Sequence, residues 1–200
     1  MNARFWEETY RARDQIFSGN PNSVLVAEVS GLPPGRALDV GCGEGADARW
    51  LARRGWQVTA LDISQTALDR AAAAGADVAG SVTWSCVDLT ATRPPAGVFD
   101  LVSIHYFPLP RQPDHVALRG LLAALAPGGT LLFATHDLAD LLTRPGFDPD
   151  DYYQPHDIAR LLDDRWAVEL EETRARTGPT PAGTHHTHDA VLRARRLRNP

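Results

Sequence analysis

Short apolar segments alternate with helical patterns along most of the chain. Runs rich in branched and apolar residues predict strands, and most are followed by a turn and a segment with helical periodicity. This alternation is typical of a parallel α/β sheet. Five strands are predicted, at 36–40, 57–61, 82–87, 99–105 and 130–135. Helices are predicted at 46–54, 114–126 and 157–162, together with one that begins at the cap residue Ser64.

The two ends of the chain depart from this alternation. Strand-like runs at 166–173 and 190–197 are joined by a connector rich in Gly, Pro and Thr, at 178–183. Two strands joined without a helix pair antiparallel, so we predict an antiparallel hairpin at one edge of the parallel sheet. Residues 1–35 contain a helical pattern and a Pro/Gly linker, which we interpret as a helical cover on a domain formed by 36–200.

Composition restricts the class of protein. A chain of 200 residues with 44% hydrophobic content is long enough for one domain with a substantial core. Its net charge of −5 argues against a nucleic-acid partner. No apolar run approaches the roughly 18 residues of a membrane span. With two cysteines, disulfides are not the stabilising device, and we expect a cytoplasmic protein, either a monomer or a homodimer.

A glycine-rich loop lies between the first predicted strand and its helix, with the sequence Asp39-Val40-Gly41-Cys42-Gly43-Glu44-Gly45. Glycine at alternate positions lets the backbone turn tightly and lets a ligand approach without meeting a Cβ. The helix that follows presents free N–H groups and a partial positive charge. The loop therefore predicts a ligand site, with Cys42 as a small loop residue and not a nucleophile.

Two ligands are compatible with this loop. Gly41, Gly43 and Ala46 satisfy the pattern of dinucleotide-binding folds, and Asp62 follows at the spacing of a ribose-binding carboxylate. Both NAD and S-adenosylmethionine contain that ribose. Asp39 ends the first strand where dinucleotide folds usually carry an apolar or small residue, which favours S-adenosylmethionine. Asp88, after the third strand, is placed to accept from an adenine amino group.

At this point the sequence resembles the class I S-adenosylmethionine-dependent methyltransferases. The resemblance covers residues 36–135 in the expected order and implies a doubly wound, Rossmann-like sheet of seven strands whose last strand is antiparallel. It rests on the segments Leu38–Gly45, Val58–Ser64, Val87–Leu89, Val98–Val102 and Leu125–Leu131.

The resemblance also implies which residues hold the cofactor. The loop 41–45 would hold the methionine part of S-adenosylmethionine, Asp62 the ribose hydroxyls, and Asp88 with Leu89 the adenine. The full expected set is Asp39, Gly41, Cys42, Gly43, Gly45, Asp62, Ile63, Asp88, Leu89 and His105.

A methyl acceptor is harder to predict. The opening Phe5–Tyr10 is similar to small bacterial tellurite-resistance and thiopurine-type methyltransferases, which implies a thiol, chalcogen or heterocyclic acceptor. An O- or N-methyltransferase of a small metabolite is the first alternative. A nucleotide-binding module without catalysis, such as a NAD sensor, is the second.

Candidate catalytic residues follow the fourth and fifth predicted strands. A thiolate needs little help to attack a methyl group, whereas a hydroxyl or amine usually needs a base. His105 and His136 are the candidate bases, and Tyr106 and His136 are candidate substrate contacts. The alternatives are a cleft wall that packs on the cofactor for His105, Tyr106 and Phe107, and a helix or turn cap for His136.

The roles of two further groups of residues stay open at this point. Trp6 and Tyr10 are too apolar for a free tail, so they either complete the core or wall the substrate site. Three histidines fall within 185–188, but no second Cys/His cluster accompanies them, and we predict no bound metal.

Overall fold

The sheet in the computed structural model has seven strands. The structure describes residues 2–138, 148–177 and 186–198. The connector at 178–183 and His185 therefore lie outside the described residues. The strands are β1 Arg36–Val40, β2 Gln57–Asp62, β3 Val82–Cys86, β4 Phe99–His105, β5 Leu125–His136, β6 Trp166–Ala175 and β7 His188–Arg196.

Six α-helices are described around the sheet: α1 Ala3–Arg11, α2 Ser23–Val29, α3 Ala46–Arg53, α4 Gln65–Ala74, α5 Val116–Ala124 and α6 Pro155–Leu161. Short 3₁₀ turns occupy Ala76–Val78, Pro113–His115 and Pro149–Asp151. The predicted cap of α4 is confirmed, because the Ser64 side chain accepts a hydrogen bond from the Ala67 N–H. None of the described helices combines the length and apolar character needed to cross a membrane.

The strand order is β3-β2-β1-β4-β5-β7-β6. β1 to β5 run parallel, whereas β7 is antiparallel to both β5 and β6. The predicted mostly parallel sheet and its C-terminal hairpin are therefore confirmed. Strand order reverses between β1 and β4, and in doubly wound sheets the carboxyl ends of the strands at such a point border the ligand crevice.

The region predicted as one helix over 114–126 is built differently. Asp114 and His115 have left-handed backbone angles, with φ of 56° and 54°, so the α-helix begins only at Val116. Leu125 already pairs with Phe99 of β4, and the pairing resumes at Thr130. The segment Pro127-Gly128-Gly129 is thus a bulge inside β5 and not a turn before it.

The first 35 residues divide into two parts. Helix α2 belongs to the core, because Val24, Leu25 and Val29 are buried against the sheet and α3. Residues 3–17, which we call the α1 arm, lie over the glycine loop and the start of α4. A cover formed by residues 1–35 therefore stays a prediction, and the arm is the part of that segment that lies over the glycine loop.

Two carboxylates hold the α1 arm in place. Glu7 accepts hydrogen bonds from the side chains of Ser64 (2.7 Å) and Thr66 (2.6 Å) at the start of α4. These two bonds lower the pKa of Glu7 to about 2. Glu44 in the glycine loop accepts the backbone N–H groups of Ile16 and Phe17. The arm is therefore fixed to the glycine loop and to the start of α4.

Replacing Glu7 with Gln should loosen the arm. A hydrogen bond to a charged group contributes about 1.5–3 kcal/mol, so amide hydrogen exchange over 3–17 should accelerate about tenfold or more at neutral pH. In the wild type this stabilisation is present above the ordinary Glu pKa of 4.5 and is lost as pH falls toward about 2. Glu8→Gln is the control, since Glu8 is exposed and pairs with Arg4 on the same helix. Equal exchange in both variants would contradict this account of the arm.

Candidate active site

A cavity of about 280 Å³ lies at the carboxyl ends of β1 and β2. Its walls come from the glycine loop, the ends of β2 and β3, the segment after β4 and the α1 arm. Apolar side chains such as Leu61, Val87 and Phe107 form much of its lining. Six of the residues expected from the sequence line it: Trp6, Gly41, Asp62, Ile63, Asp88 and Leu89.

Asp62 connects the cavity to the glycine loop. Its carboxylate is buried and accepts the backbone N–H groups of Gly43 (2.8 Å) and Ser64 (2.9 Å). Burial raises the pKa of Asp62, and the backbone hydrogen bonds only partly offset that effect. Each carboxylate oxygen has a second lone pair, so Asp62 can still accept hydroxyl groups from the cavity side.

Aromatic side chains pack directly on two glycines of the loop. Gly41 has φ of 68°, and a Cβ there would come within 2.5 Å of the Phe107 ring. Gly43 has φ of 52°, and a Cβ there would come within 2.8 Å of the Tyr10 hydroxyl. A side chain at either position would be strained and would displace its aromatic neighbour. The requirement for glycine at 43 therefore includes packing of the α1 arm, which the sequence did not reveal.

His105 is held by a buried carboxylate. Its Nδ1 lies 3.1 Å from Asp47 Oδ2 and 3.0 Å from Ser103 Oγ. Burial opposes the charge of Asp47, but hydrogen bonds from His105 and Asn22 outweigh it and lower the Asp47 pKa. An ionised Asp47 requires a proton on Nδ1, which leaves the Nε2 of neutral His105 as an acceptor.

Two buried acceptor atoms lie close to the switch point between β1 and β4. Asp39 pairs with Ser103 in the sheet register, so Asp39 and His105 lie on the same face of neighbouring strands. Neither Asp39 Oδ2 nor His105 Nε2 has a hydrogen-bond partner in the part of the chain that the structure describes. Burial, and next the charges of Asp47 and Asp62, raise the pKa of Asp39 well above its usual range. Both atoms would be satisfied by a ligand rich in donors, such as an ammonium group.

Asp88, the third acidic residue predicted to bind the cofactor, is not buried as Asp39 and Asp62 are. Asp88 is exposed at the cavity rim, and its Oδ1 accepts the Thr90 N–H (2.8 Å) and hydroxyl (2.6 Å). This turn orients the carboxyl group, and Leu89 beside it is buried. The pair therefore lines the cavity just after the end of β3.

Several predicted residues do not line the cavity. Cys42, Gly43 and Gly45 form the loop behind it, and Tyr10 is buried on Gly43. Tyr106 and His136 lie together on the β5 side, where their rings stack with centroids 4.6 Å apart. They contact the Arg176 side chain, which the sequence reading did not single out.

Comparison with known proteins identifies the family. A methyltransferase-domain model matches residues 37–129. The ubiquinone biosynthesis O-methyltransferase of Xanthomonas campestris pv. campestris (strain B100) is 32% identical over 194 residues, covering 94% of this chain and 70% of that protein. The chain belongs to the class I S-adenosylmethionine-dependent methyltransferases. It is a methyltransferase of the small-molecule type, so the alternative of a NAD-binding module without catalysis is set aside.

Two further relatives are similar to this chain over most of its length. The O-methyltransferase of the same name from Vibrio parahaemolyticus serotype O3:K6 is 26% identical and is covered over 83% of its length, with 90% of this chain. A protein solved in work on the conversion of a disulfide bond into a thioacetal group during echinomycin biosynthesis is 25% identical. That structure has a TM-score of 0.73, with 99% of this chain and 94% of that chain covered.

A further structure shares the fold. The N-methyltransferase NodS from Bradyrhizobium japonicum WM9, solved with S-adenosyl-L-homocysteine, is 20% identical with a TM-score of 0.73, covering 98% of this chain and 99% of that one. The methyltransferase therefore has the seven-stranded architecture that the resemblance implied.

The residues of the cavity fit S-adenosylmethionine. Asp62 offers acceptors for ribose hydroxyls, and the apolar walls suit an adenine ring. Asp39 and His105 do not line the cavity itself, but close to the switch point between β1 and β4 they provide two unsatisfied buried acceptors that an α-ammonium group would complement. Sequence reasoning missed Asp47, because an acid in the first turn of a helix is common without a ligand. Phe107 belonged to the predicted cleft wall, and it does line the cavity.

Substitution of Asp62 should weaken binding of S-adenosylhomocysteine. Loss of a charge-assisted hydrogen bond costs roughly 1.5–3 kcal/mol, so Asp62→Ala should bind at least tenfold more weakly in calorimetry. Asp62→Asn, which keeps one acceptor oxygen, should fall between the two proteins. Asp69→Ala is the control, because Asp69 is exposed on α4 and bonds Gln65. Wild-type affinity in a folded Asp62→Ala protein would refute the assignment.

Proposed function

We propose that the methyltransferase methylates a hydroxyl oxygen of a small molecule. The observation that carries this proposal is the group of hydrogen-bonding side chains beside the cofactor cavity, in which Tyr106, His136 and Arg176 contact one another. Polar groups that donate hydrogen bonds suit an oxygen acceptor better than a soft sulfur. The two ubiquinone biosynthesis O-methyltransferases described above are similar to most of this chain, and their name supports the same choice.

Two groups of residues bind two different parts of the cofactor. Asp62, Asp88 and Leu89 hold the adenosine part in the cavity, and Asp39 with His105 accepts from the ammonium group. When bound, S-adenosylmethionine supplies an electrophilic methyl group on a sulfonium. The protein must then hold the acceptor in line with that group and exclude water.

The α1 arm contributes to exclusion of water. Trp6 lines the cavity, and its ring lies 6.2 Å from that of Tyr10, which covers Gly43. The arm thus closes the crevice on the side of the glycine loop. Trp6 is the part of the arm placed to contact a bound molecule.

A sulfur acceptor is the second candidate. It is favoured by the similarity to the protein studied in the conversion of a disulfide bond into a thioacetal group. A thiol with a pKa near 8.5 has a useful thiolate fraction at neutral pH and needs no base from the protein.

Mass spectrometry of products distinguishes these acceptors. The purified protein is incubated with S-adenosylmethionine and matched sets of phenols, thiols and amines that share the same ring. We expect methyl transfer to phenols at a rate at least tenfold above that to the matched thiols and amines, after subtraction of the rate without protein. Asp62→Ala should slow every reaction, since it acts on the cofactor. Faster transfer to the thiols would favour the sulfur acceptor and contradict the proposal.

A further inference from the structure

The ring of His105, the last residue of β4, is buried together with a carboxylate. The His105 side chain is 2% exposed, and that of Asp47, in the first turn of α3, is 7% exposed. His105 Nδ1 and Asp47 Oδ2 are 3.1 Å apart. Buried polar groups need partners, so the hydrogen bonds of this pair can be assigned atom by atom.

Asn22 holds Asp47 from the other side. The Asn22 backbone N–H donates to Asp47 Oδ1 at 2.7 Å, and the Asn22 side-chain amide donates to Oδ2 at 2.8 Å. Burial opposes the charge of Asp47, but these bonds and the one from His105 outweigh it and lower the Asp47 pKa. Asp47 is therefore an anion with a donor on each oxygen.

The charge of Asp47 determines which nitrogen of His105 carries the proton. Without a proton on Nδ1, two lone pairs would face each other across 3.1 Å. The Ser103 hydroxyl, 3.0 Å from the same nitrogen, can accept from that N–H as well. The neutral ring therefore has its proton on Nδ1 and a lone pair on Nε2.

This lone pair on Nε2 is buried and has no partner in the part of the chain that the structure describes. The same is true of Asp39 Oδ2, on the neighbouring strand β1. Asp39 pairs with Ser103 in the sheet, so His105 projects from the same face as Asp39. Two buried acceptors without a donor are costly, and a ligand with N–H groups is a common remedy.

Both acceptors belong to residues that come just before the wall of the cofactor cavity. Gly41 follows Asp39 by two residues, Phe107 follows His105 by two residues, and Gly41 and Phe107 both line the cavity. Two residues of extended chain span about 7 Å. The Phe107 ring packs on Gly41. A ligand that displaces this ring therefore comes within reach of both acceptors.

The charges around the two acceptors favour a cation. Asp39, Asp47 and Asp62 are buried carboxyl groups that act on one another. Burial, followed by the charges of Asp47 and Asp62, raises the pKa of Asp39. An ammonium group would relieve this repulsion, whereas a carboxylate would add to it. The amino acid part of S-adenosylmethionine has both charged groups, and its amino group is the one that suits this place.

We infer that Asp47, held by Asn22, is a positioning residue that keeps the proton on His105 Nδ1 and so presents Nε2 to the α-amino group of the cofactor. His105 then binds the cofactor and is not the base that takes a proton from the methyl acceptor. This inference rests on the placement of the ammonium group at Asp39 and His105 in the proposed function.

Replacing Asp47 with Asn should invert the tautomer of His105. The Asn22 backbone N–H can only be met by the amide oxygen, so that oxygen takes the place of Oδ1. The NH₂ group then takes the place of Oδ2 and donates to His105 Nδ1, which moves the ring proton to Nε2. A donor on Nε2 would oppose an ammonium group. The same exchange in a catalytic triad leaves the geometry intact and produces the wrong tautomer.

The first test observes the tautomer by NMR. In protein with nitrogen-15 histidine, long-range correlations between ring protons and ring nitrogens distinguish Nδ1–H from Nε2–H, and loss of signals in His105→Phe assigns those of His105. We expect Nδ1–H in the wild type and Nε2–H in Asp47→Asn. Asp77→Asn is the control and should keep Nδ1–H, because Asp77 is exposed and pairs with Arg53. A wild-type ring protonated on Nε2, or on both nitrogens, would overturn the inference.

The second test removes one charged group at a time from the ligand. Adenosylthiobutyrate is S-adenosylhomocysteine without its amino group, and adenosylthiopropylamine is the same molecule without its carboxyl group. In calorimetry the wild type should bind S-adenosylhomocysteine at least tenfold more tightly than adenosylthiobutyrate. Asp47→Asn should weaken binding of the two ligands with an amino group at least tenfold, and that of adenosylthiobutyrate less than about threefold.

A second variant covers the case in which Asp47→Asn fails to fold. His105→Phe keeps an aromatic ring without a nitrogen and should show the same dependence on the amino group. Asp77→Asn should bind all three ligands as the wild type does. Equal losses with and without the amino group would overturn the inference. A loss confined to ligands with a carboxyl group would do so too, since it would assign His105 to the carboxylate.

Kinetics separate this role of His105 from that of a base. With the acceptor that product analysis identifies, Asp47→Asn should raise KM for S-adenosylmethionine at least tenfold and change kcat at saturating cofactor less than about threefold. A base in the wrong tautomer loses kcat instead, by roughly 10⁴-fold in a catalytic triad. Such a loss would overturn the inference and leave the oxygen acceptor in place. Methylation of sulfur with the expected binding pattern would refute the oxygen acceptor and leave the role of Asp47 intact.

Discussion

The Asp62 carboxylate is the contact on which the site depends. It joins the end of β2 to the glycine loop after β1, because it accepts the N–H groups of Gly43 and Ser64 while it is buried. The same loop supplies Glu44, which holds the backbone of the α1 arm. The buried Asp62 carboxylate thus fixes the position of the glycine loop, and Glu44 of that loop fixes the α1 arm. The loop and the arm both contribute to the wall of the cavity. Such a charge is tolerated in the interior because each of its oxygens has a donor.

The two sides of the crevice differ in hydrogen-bonding character. On the cofactor side, Asp39 and His105 present buried acceptors, which suit a donor such as an ammonium group. On the β5 side, Arg176 donates one hydrogen bond to His136 Nδ1 and another to Asp189. Among the residues that the structure describes, no group of three or more His, Cys, Asp or Glu side chains could hold a metal ion. The sheet order explains the arrangement, because β1 and β4 adjoin at the switch point and β5 lies beyond β4.

The sheet and several residues that line the cavity could be predicted from sequence. A strand followed by glycines or acids is recognisable from a few neighbouring residues. Asp62 ends β2, Asp88 follows the end of β3 by two residues, and both line the cavity. Contacts across long sequence separations left no such pattern. Arg176 meets His136 only because the β6–β7 hairpin returns to β5, and Tyr10 meets Gly43 only because the α1 arm folds back. The helix predicted at 114–126 was too long because left-handed residues and pairing of Leu125 overrode its apolar periodicity.

A crystal structure with S-adenosylhomocysteine tests the central claim most directly. The account predicts that the ribose hydroxyls lie within hydrogen-bond distance of Asp62, with the adenine between Asp88 and Phe107 and the ammonium group at Asp39 and His105. The cavity should keep room for an acceptor beside Phe107, next to Tyr106 in the chain. A ligand bound elsewhere on the sheet, or one whose ribose makes no contact with Asp62, would contradict the account.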